Sequence, residues 1–220
     1  MLRRIASIEG IAIAGALLFF GSDVTNAQSF DQDRSRAMNG NAEAQYLLAQ
    51  RYDFGNDVTA DTSEAIVWYK LAASQGHTDA MYNLGITYQY GDRVDVDINE
   101  AIGWYEAAGN RGHGDSQYSL AEILSEEGSE WSNYSEAMRW YQRAADNGIP
   151  DALVGLGNMH ADGLGVVSSV QIAARMYYDA ALMGNTRGQA LYGLSLLTGQ
   201  GVTVNKRGLR MDAFGQVRGE

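Results

Sequence analysis

Ala65-Ile-Val-Trp-Tyr69 returns as Ala101-Ile-Gly-Trp-Tyr105, as Ala137-Met-Arg-Trp-Tyr141 and, with Met176 in place of the tryptophan, as Ala173-Ala-Arg-Met-Tyr177. The spacing is 36 residues each time, and the columns around it keep step. Ala44, Ala80, Ser116, Ala152 and Gly188 form one column, and Leu48, Leu84, Leu120, Leu156 and Tyr192 form another. Gly76, Gly112, Gly148 and Gly184 close the repeats. A fixed period of this length marks stacked supersecondary units, none of which buries its apolar face alone. Columns present in every copy build the stack. Function belongs to positions that differ from copy to copy.

Each repeat reads as two helices. Ala44, Leu48, Ala49 and Tyr52 recur as Ala80, Leu84, Gly85 and Tyr88, which is the spacing of one helical face. The small residue in the third of these columns lets a partner helix approach closely. Gly55, Gly91, Gly163 and Gly199 end the first helix, because glycine takes the left-handed conformation cheaply. Asp61 with Glu64, Asp97 with Glu100, and Asn133 with Glu136 have the spacing of an N-cap residue and an acid one turn in. The second helix then runs through Ala65, Trp68, Tyr69 and Ala72 to the closing glycine. The pattern predicts an all-α solenoid of antiparallel helix pairs. The repeats fall at 41–76, 77–112, 113–148 and 149–184, with the first part of a fifth at 185–204. Residues 28–40 and 205–220 stand where second helices would flank the array. There the Trp–Tyr pair becomes Gln32-Asp33 and Asp212-Ala213, so both are expected to be polar capping helices.

Ala42-Glu-Ala-Gln-Tyr-Leu-Leu-Ala49, Ala65-Ile-Val-Trp-Tyr69 and Ala72-Ala-Ser-Gln-Gly-His-Thr-Asp-Ala80 together resemble Sel-1-like repeats, relatives of the tetratricopeptide repeat. Gly163-Leu-Gly-Val166 has that family's loop form. The resemblance covers residues 41 to about 204. It implies an adaptor that binds another protein and has neither catalytic residues nor a cofactor. The fold by itself does not fix the function.

The N-terminal segment is of another kind. Arg3 and Arg4 precede an apolar run from Ile11 to Phe20, and Thr25-Asn-Ala27 offers small residues before a cleavage point. This reads as a signal peptide over residues 1–27, cleaved after Ala27, for a periplasmic or secreted protein. The run is short against the ~20 residues that a membrane span needs. There is no Cys, which excludes a lipid-anchored cysteine and disulfides. Sixteen Lys and Arg stand against 27 Asp and Glu, a net charge of -11. Such a surplus disfavours nucleic acid and anionic lipid as partners. It points to a partner with a basic segment, although acidity also serves solubility.

Motifs that invite a chemical reading have simpler explanations. His77 and His113 share a column at the repeat junction, and His160 takes the place of Tyr52 and Tyr88. All three read as packing residues rather than metal ligands. Asp95, Asp97, Asn99 and Glu106 mimic a calcium loop, but Glu100 stands where that loop requires glycine. Asn133-Tyr-Ser135 is a lone glycosylation triplet that coincides with a helix cap. With no Cys and three scattered His, the ordinary nucleophile–base pairings are thin.

What remains is surface that varies between copies. By analogy with tetratricopeptide arrays, four columns of the first helix line a concave groove. They read Leu47, Asn83, Ser119, Gly155; Gln50, Ile86, Glu122, Asn158; Arg51, Thr87, Ile123, Met159; and Phe54, Tyr90, Glu126, Asp162. This mixture of apolar, amide and acidic groups suits a peptide, and the same places also suit ordinary solvated helix residues. The third repeat carries Trp131 in its loop, ringed by Glu126, Glu127 and Glu130. Trp131 is either an interaction anchor or a lid folded back over a weakened junction. The candidate partner-binding set is therefore Asn83, Ile86, Tyr90, Ser119, Glu122, Glu126, Trp131, Asn158 and Asp162. The expected function is a protein-binding scaffold of the bacterial cell envelope that regulates a sensor, secretion or motor complex. The alternative is an accessory protein or enzyme acting on cell-wall or exported polysaccharide.

Overall fold

The computed structural model describes residues 30–91, 94–204 and 210–211. The segment read as a signal peptide, 1–27, lies outside them. Two compact units divide the chain. The N-terminal unit, described from residue 30 to Asp97, holds α1 (residues 30–38), α2 (Ala42–Phe54), α3 (Thr62–Ser74) and α4 (Thr78–Tyr90). The C-terminal unit begins at Ile98. It holds α5 (Ile98–Gly109), α6 (Gly114–Ser125), α7 (Tyr134–Asp146), α8 (Pro150–Asp162), α9 (Val170–Leu182) and α10 (Thr186–Thr198). A short antiparallel pair follows, β1 (Thr203–Val204) with β2 (Arg210–Met211).

The repeat is visible in how the helices start. Asn41, His77, His113 and Asn185 cap α2, α4, α6 and α10, each side chain accepting the backbone N–H of the residue three places on. This satisfies one of the N–H groups that a helix start leaves without a partner. The junction histidines are therefore caps. Ile149 in the same column has no side-chain cap bond, and Pro150 in the first turn of α8 compensates by needing no N–H partner. Asp61, Asn133 and Ser169 cap α3, α7 and α9.

The cores follow the repeated columns. Leu48, Tyr69 and Leu84 are fully buried in the N-terminal unit, and Tyr105 and Leu120 in the C-terminal one. Each such side chain contributes about 1.5–3 kcal/mol of burial. Small residues keep the helices close. A Cβ on Gly157 would overlap Cε1 of Tyr177 and lie 2.8 Å from its Cδ1. Ala49 and Ala121 occupy the same column and are fully buried.

One polar column enters the core. Gln45 Nε2 donates to the Ala37 carbonyl at 3.1 Å, and its Oε1 accepts from Gln75 Nε2 at 2.7 Å. Gln117 repeats this, donating to the Gly109 carbonyl at 2.8 Å and accepting from Asn147 Nδ2 at 2.7 Å. Both glutamines are buried, and the bonds remove the cost of burying an amide. The copies that follow each of them hold Met81 and Leu153 instead.

Of the segment expected to form a capping helix, 205–220, all but Arg210 and Met211 lies outside the described residues. Arg210–Met211 pair as a strand with Thr203–Val204. Gly199 and Gly201 both take positive φ, 74° and 73°, which turns the chain out of helical geometry.

Candidate functional site

The first helix of every repeat but the third stops where glycine turns left-handed. Gly55 and Gly91 have φ of 73° and 65°, and their N–H groups return to the carbonyls of Arg51 and Thr87. The stop leaves Phe54 and Tyr90 at the tips of α2 and α4, 67% and 70% exposed. Between the two helices lies a cleft of about 220 Å³ lined by Asp53, Phe54, Thr62, Asn83, Ile86, Thr87 and Tyr90. A larger and shallower depression beside it is lined by Asp33, Leu47, Gln50, Arg51, Phe54 and Asn56. Phe54 borders both.

The floor of the cleft is wired to the core. The ring of Tyr69 is buried under α2 and α4, and only its hydroxyl reaches the surface layer. That hydroxyl donates to Asp53 Oδ2 at 3.3 Å and accepts from Asn83 Nδ2 at 3.0 Å. Burial, and then the charge of Asp53, push the Tyr69 phenol well above its ordinary range, so it stays a neutral donor. Thr87 donates its hydroxyl to the Asn83 carbonyl at 2.9 Å. Arg51, in a column expected to line the groove, is held by Asp33 at 2.8 Å and by Asp57.

The C-terminal unit repeats the tyrosine arrangement without the exposed aromatic pair. Tyr141 shares a hydrogen bond with Ser125 Oγ at 3.1 Å, and Tyr177 donates to Asn158 Oδ1 at 2.9 Å. Burial pushes the Tyr141 phenol up to about 12 and that of Tyr177 upward. Tyr118 donates to Glu122 at 2.6 Å, and its ring lies 5.9 Å from that of Tyr141. Ser119 is half-buried, and Glu122, Glu126 and Asp162 are exposed. Gly155 leaves room for Tyr141, whose ring carbons would lie 2.6 Å from an added Cβ.

One expectation is corrected in part. Thr87, Ile123 and Met159 are buried, at 9%, 6% and 2% exposure. Ile123 and Met159 belong to the core and not to the groove, while Thr87 still lines the cleft. Trp131 is half-buried, and its Nε1 donates to Asn99 Oδ1 at 3.1 Å. The loop tryptophan folds back onto α5, which is the lid reading. Asn83, Ile86 and Tyr90 do share one surface, joined by Phe54. Asp53 and Thr62 complete it and were missed. The signal for Asp53 was present, since its column reads Asp53, Gln89, Ser125 and Ala161 and so varies between copies. Among the described residues no cluster of three or more His, Asp or Glu could hold a metal ion, and no helix is long and apolar enough to cross a membrane.

A profile of the Sel1 repeat matches residues 42–77, 78–113, 114–149, 150–185 and 187–207. Comparison with curated proteins gives no match. Among solved structures, the chain is similar to c5321, described as a protective antigen present in uropathogenic Escherichia coli strains and displaying an SLR fold. The identity is 31% and the TM-score 0.73, over 78% of this chain and 37% of that one. The chain thus spans little more than a third of that relative. It is also similar to a Sel1 repeat protein from Oxalobacter formigenes at 26% identity and a TM-score of 0.72, covering 84% and 78% of the two chains. A Sel1 repeat protein from Klebsiella pneumoniae subsp. pneumoniae shares the fold at 23% identity and a TM-score of 0.51, over 78% and 82%.

Proposed function

Since the chain belongs to the Sel1 repeat family, whose members are generally non-catalytic scaffolds for protein interactions, we propose that it holds a partner protein on the surface formed by the ends of α2 and α4. The carrying observation is the pair Phe54 and Tyr90, large aromatic side chains left mostly in solvent on either side of one cleft. Exposed aromatics bordering a concavity are the residues that most often dominate binding energy. In the C-terminal unit the corresponding tips are Glu126 and Asp162, which extend the reading to a partner with a basic segment.

The protein acts outside the cytoplasm in this proposal, as a scaffold of the bacterial envelope attached to a sensor, secretion or motor complex. The basic residues, apolar run and Thr25-Asn-Ala27 site support export. So does the description of one relative as a protective antigen, since an antigen must be met from outside. Mass spectrometry of the native protein should find an N-terminus at Gln28, and a full-length species would refute export.

The binding test is a pull-down from envelope extract with wild type beside a Phe54→Ala, Tyr90→Ala double variant, with melting temperatures measured on the same samples. Both side chains are exposed, so the variant should melt as wild type does and lose the partner. Undiminished capture by a folded variant would move the interaction to another face.

A further inference from the structure

The helix α10 keeps one apolar face uncovered. Its Leu191, Tyr192 and Leu196 pack into the C-terminal core. Ala190, Gly193, Leu194 and Leu197 lie on another face, at the spacing i, i+3, i+4, i+7. Leu194 and Leu197 are 55% and 74% exposed. Among the described residues nothing stands within 4 Å of a Cβ added to Gly193. The same column is closed in earlier copies, where Gly157 lies against the Tyr177 ring and Ala121 is fully buried. The positions 36 residues beyond Met176 and Tyr177 are Asp212 and Ala213. The chain therefore does not repeat the tyrosine that closes this seat one copy earlier.

We infer that this face of α10 receives the same face of a second copy of the chain, the two helices running antiparallel. In a twofold pair residue i meets residue j and j meets i. With the axis between Gly193 and Leu194, Gly193 meets the second copy's Leu194, and Ala190 meets its Leu197. Each leucine enters the space left by a small residue, as a knob enters a hole. A register one turn away sets leucine against leucine. Charge favours the same occupant. The chain carries a net charge of -11, yet residues 163–204 hold only Arg175, Asp179 and Arg187, and Arg175 pairs with Asp179 at 2.9 Å. Two acidic copies therefore meet here without bringing their carboxylates together. In this register Arg187 falls beside Gln200 of the second copy, at the C-terminal end of its α10, where a cation is favoured. The two Arg187 side chains stand about 20 Å apart along the pair, beyond the ~8 Å over which salt screens exposed charges. One pair of 13-residue helices buries less than a permanent dimer needs, so the association is reversible, with a Kd between about 1 µM and 1 mM.

The test is sedimentation of the native protein over that concentration range, beside two variants. The wild type should pass from monomer to dimer as concentration rises. A Leu194→Glu, Leu197→Glu double variant should stay monomeric throughout. Gly193→Leu meets nothing in its own chain, so it should fold normally. It adds apolar surface but fills the hole that the facing leucine enters, and it should weaken the dimer at least about tenfold. Melting temperatures are read below the Kd, where both variants should match the wild type. A wild type that stays monomeric to 1 mM overturns the inference, and so does a double variant that still dimerises. A Gly193→Leu chain that dimerises as well as the wild type, or better, overturns the seated register and leaves only unspecific apolar contact. A double variant that melts lower with no change of mass shows the face covered by the chain's own tail, which overturns the second copy as its occupant.

Discussion

Two glycines inside helices should respond to the same substitution with opposite signs. Gly103 lies in α5 with nothing within 4 Å of an added Cβ, and it is exposed. Gly157 lies in α8, where an added Cβ would overlap one carbon of the Tyr177 ring and come within 2.8 and 3.2 Å of two others. Alanine in place of glycine in a helix interior gains about 0.8–1.0 kcal/mol in either case. Overpacking a filled core costs about 1–3 kcal/mol. Gly157 belongs in the upper half of that range, because the Tyr177 ring has little freedom to retreat. It is 7% exposed and its hydroxyl is pinned to Asn158, the next residue along α8. Gly103→Ala should therefore stabilise by about 0.8–1.0 kcal/mol, and Gly157→Ala should destabilise by about 1–2 kcal/mol. The propensity gain is common to both, so the difference between the variants isolates the steric part. Urea unfolding followed by circular dichroism measures it, and thermal unfolding should shift by about 2–4 °C per kcal/mol at this chain length. If the two variants move together, within roughly 0.5 kcal/mol, close ring packing is not what keeps position 157 a glycine.

Two further outcomes follow from the hydrogen bonds. His113→Ala should cost about 0.5–2 kcal/mol through loss of the α6 cap, whereas His113→Asn should be close to neutral, because Asn41 and Asn185 already cap from the same column. Equal losses for Ala and Asn, read in the same unfolding assay, would show that the imidazole does something other than capping. Gln117→Leu should cost about 0.5–1.5 kcal/mol, the net worth of a hydrogen bond, because the Gly109 carbonyl keeps a second donor and Asn147 is exposed. Adding Asn147→Met should recover part of that, since Leu153 and Met183 occupy these places one repeat later and Arg143 still donates to the Gly109 carbonyl at 3.0 Å. Strict additivity of the two losses would refute the coupling.

The repeated columns made the helix pairs legible because steric demand recurs with the period. Leu84, Tyr105 and Ala137 are buried for the same reason that their counterparts are. The site was legible in part. Asn83, Ile86 and Tyr90 stood out because their columns vary, and helical periodicity placed them on one surface. Met159 and Ile123 misled because a column one position off the core faces inward or outward according to how closely two helices approach, a distance that spacing does not encode. Trp131 was undecidable in the sequence, since its bond to Asn99 joins residues 32 positions apart through a loop with its own geometry. The capping role of the histidines was hidden by their rarity at helix starts, where Asn, Asp and Ser usually serve.

The alternation of Gln45 and Gln117 with Met81 and Leu153 bears on how such an array is safely edited. Gly109 packs where a Cβ would come within 3.1 Å of both Gln117 and Trp140, and its counterpart one copy earlier is Ala73. Excising a single copy would bring an alanine methyl against that amide and indole. Excising two adjacent copies would instead bring Leu153 to the seat of Met81, one aliphatic chain for another. The interchangeable cassette is thus a pair of repeats, and grafts or truncations cut to that length preserve like junctions.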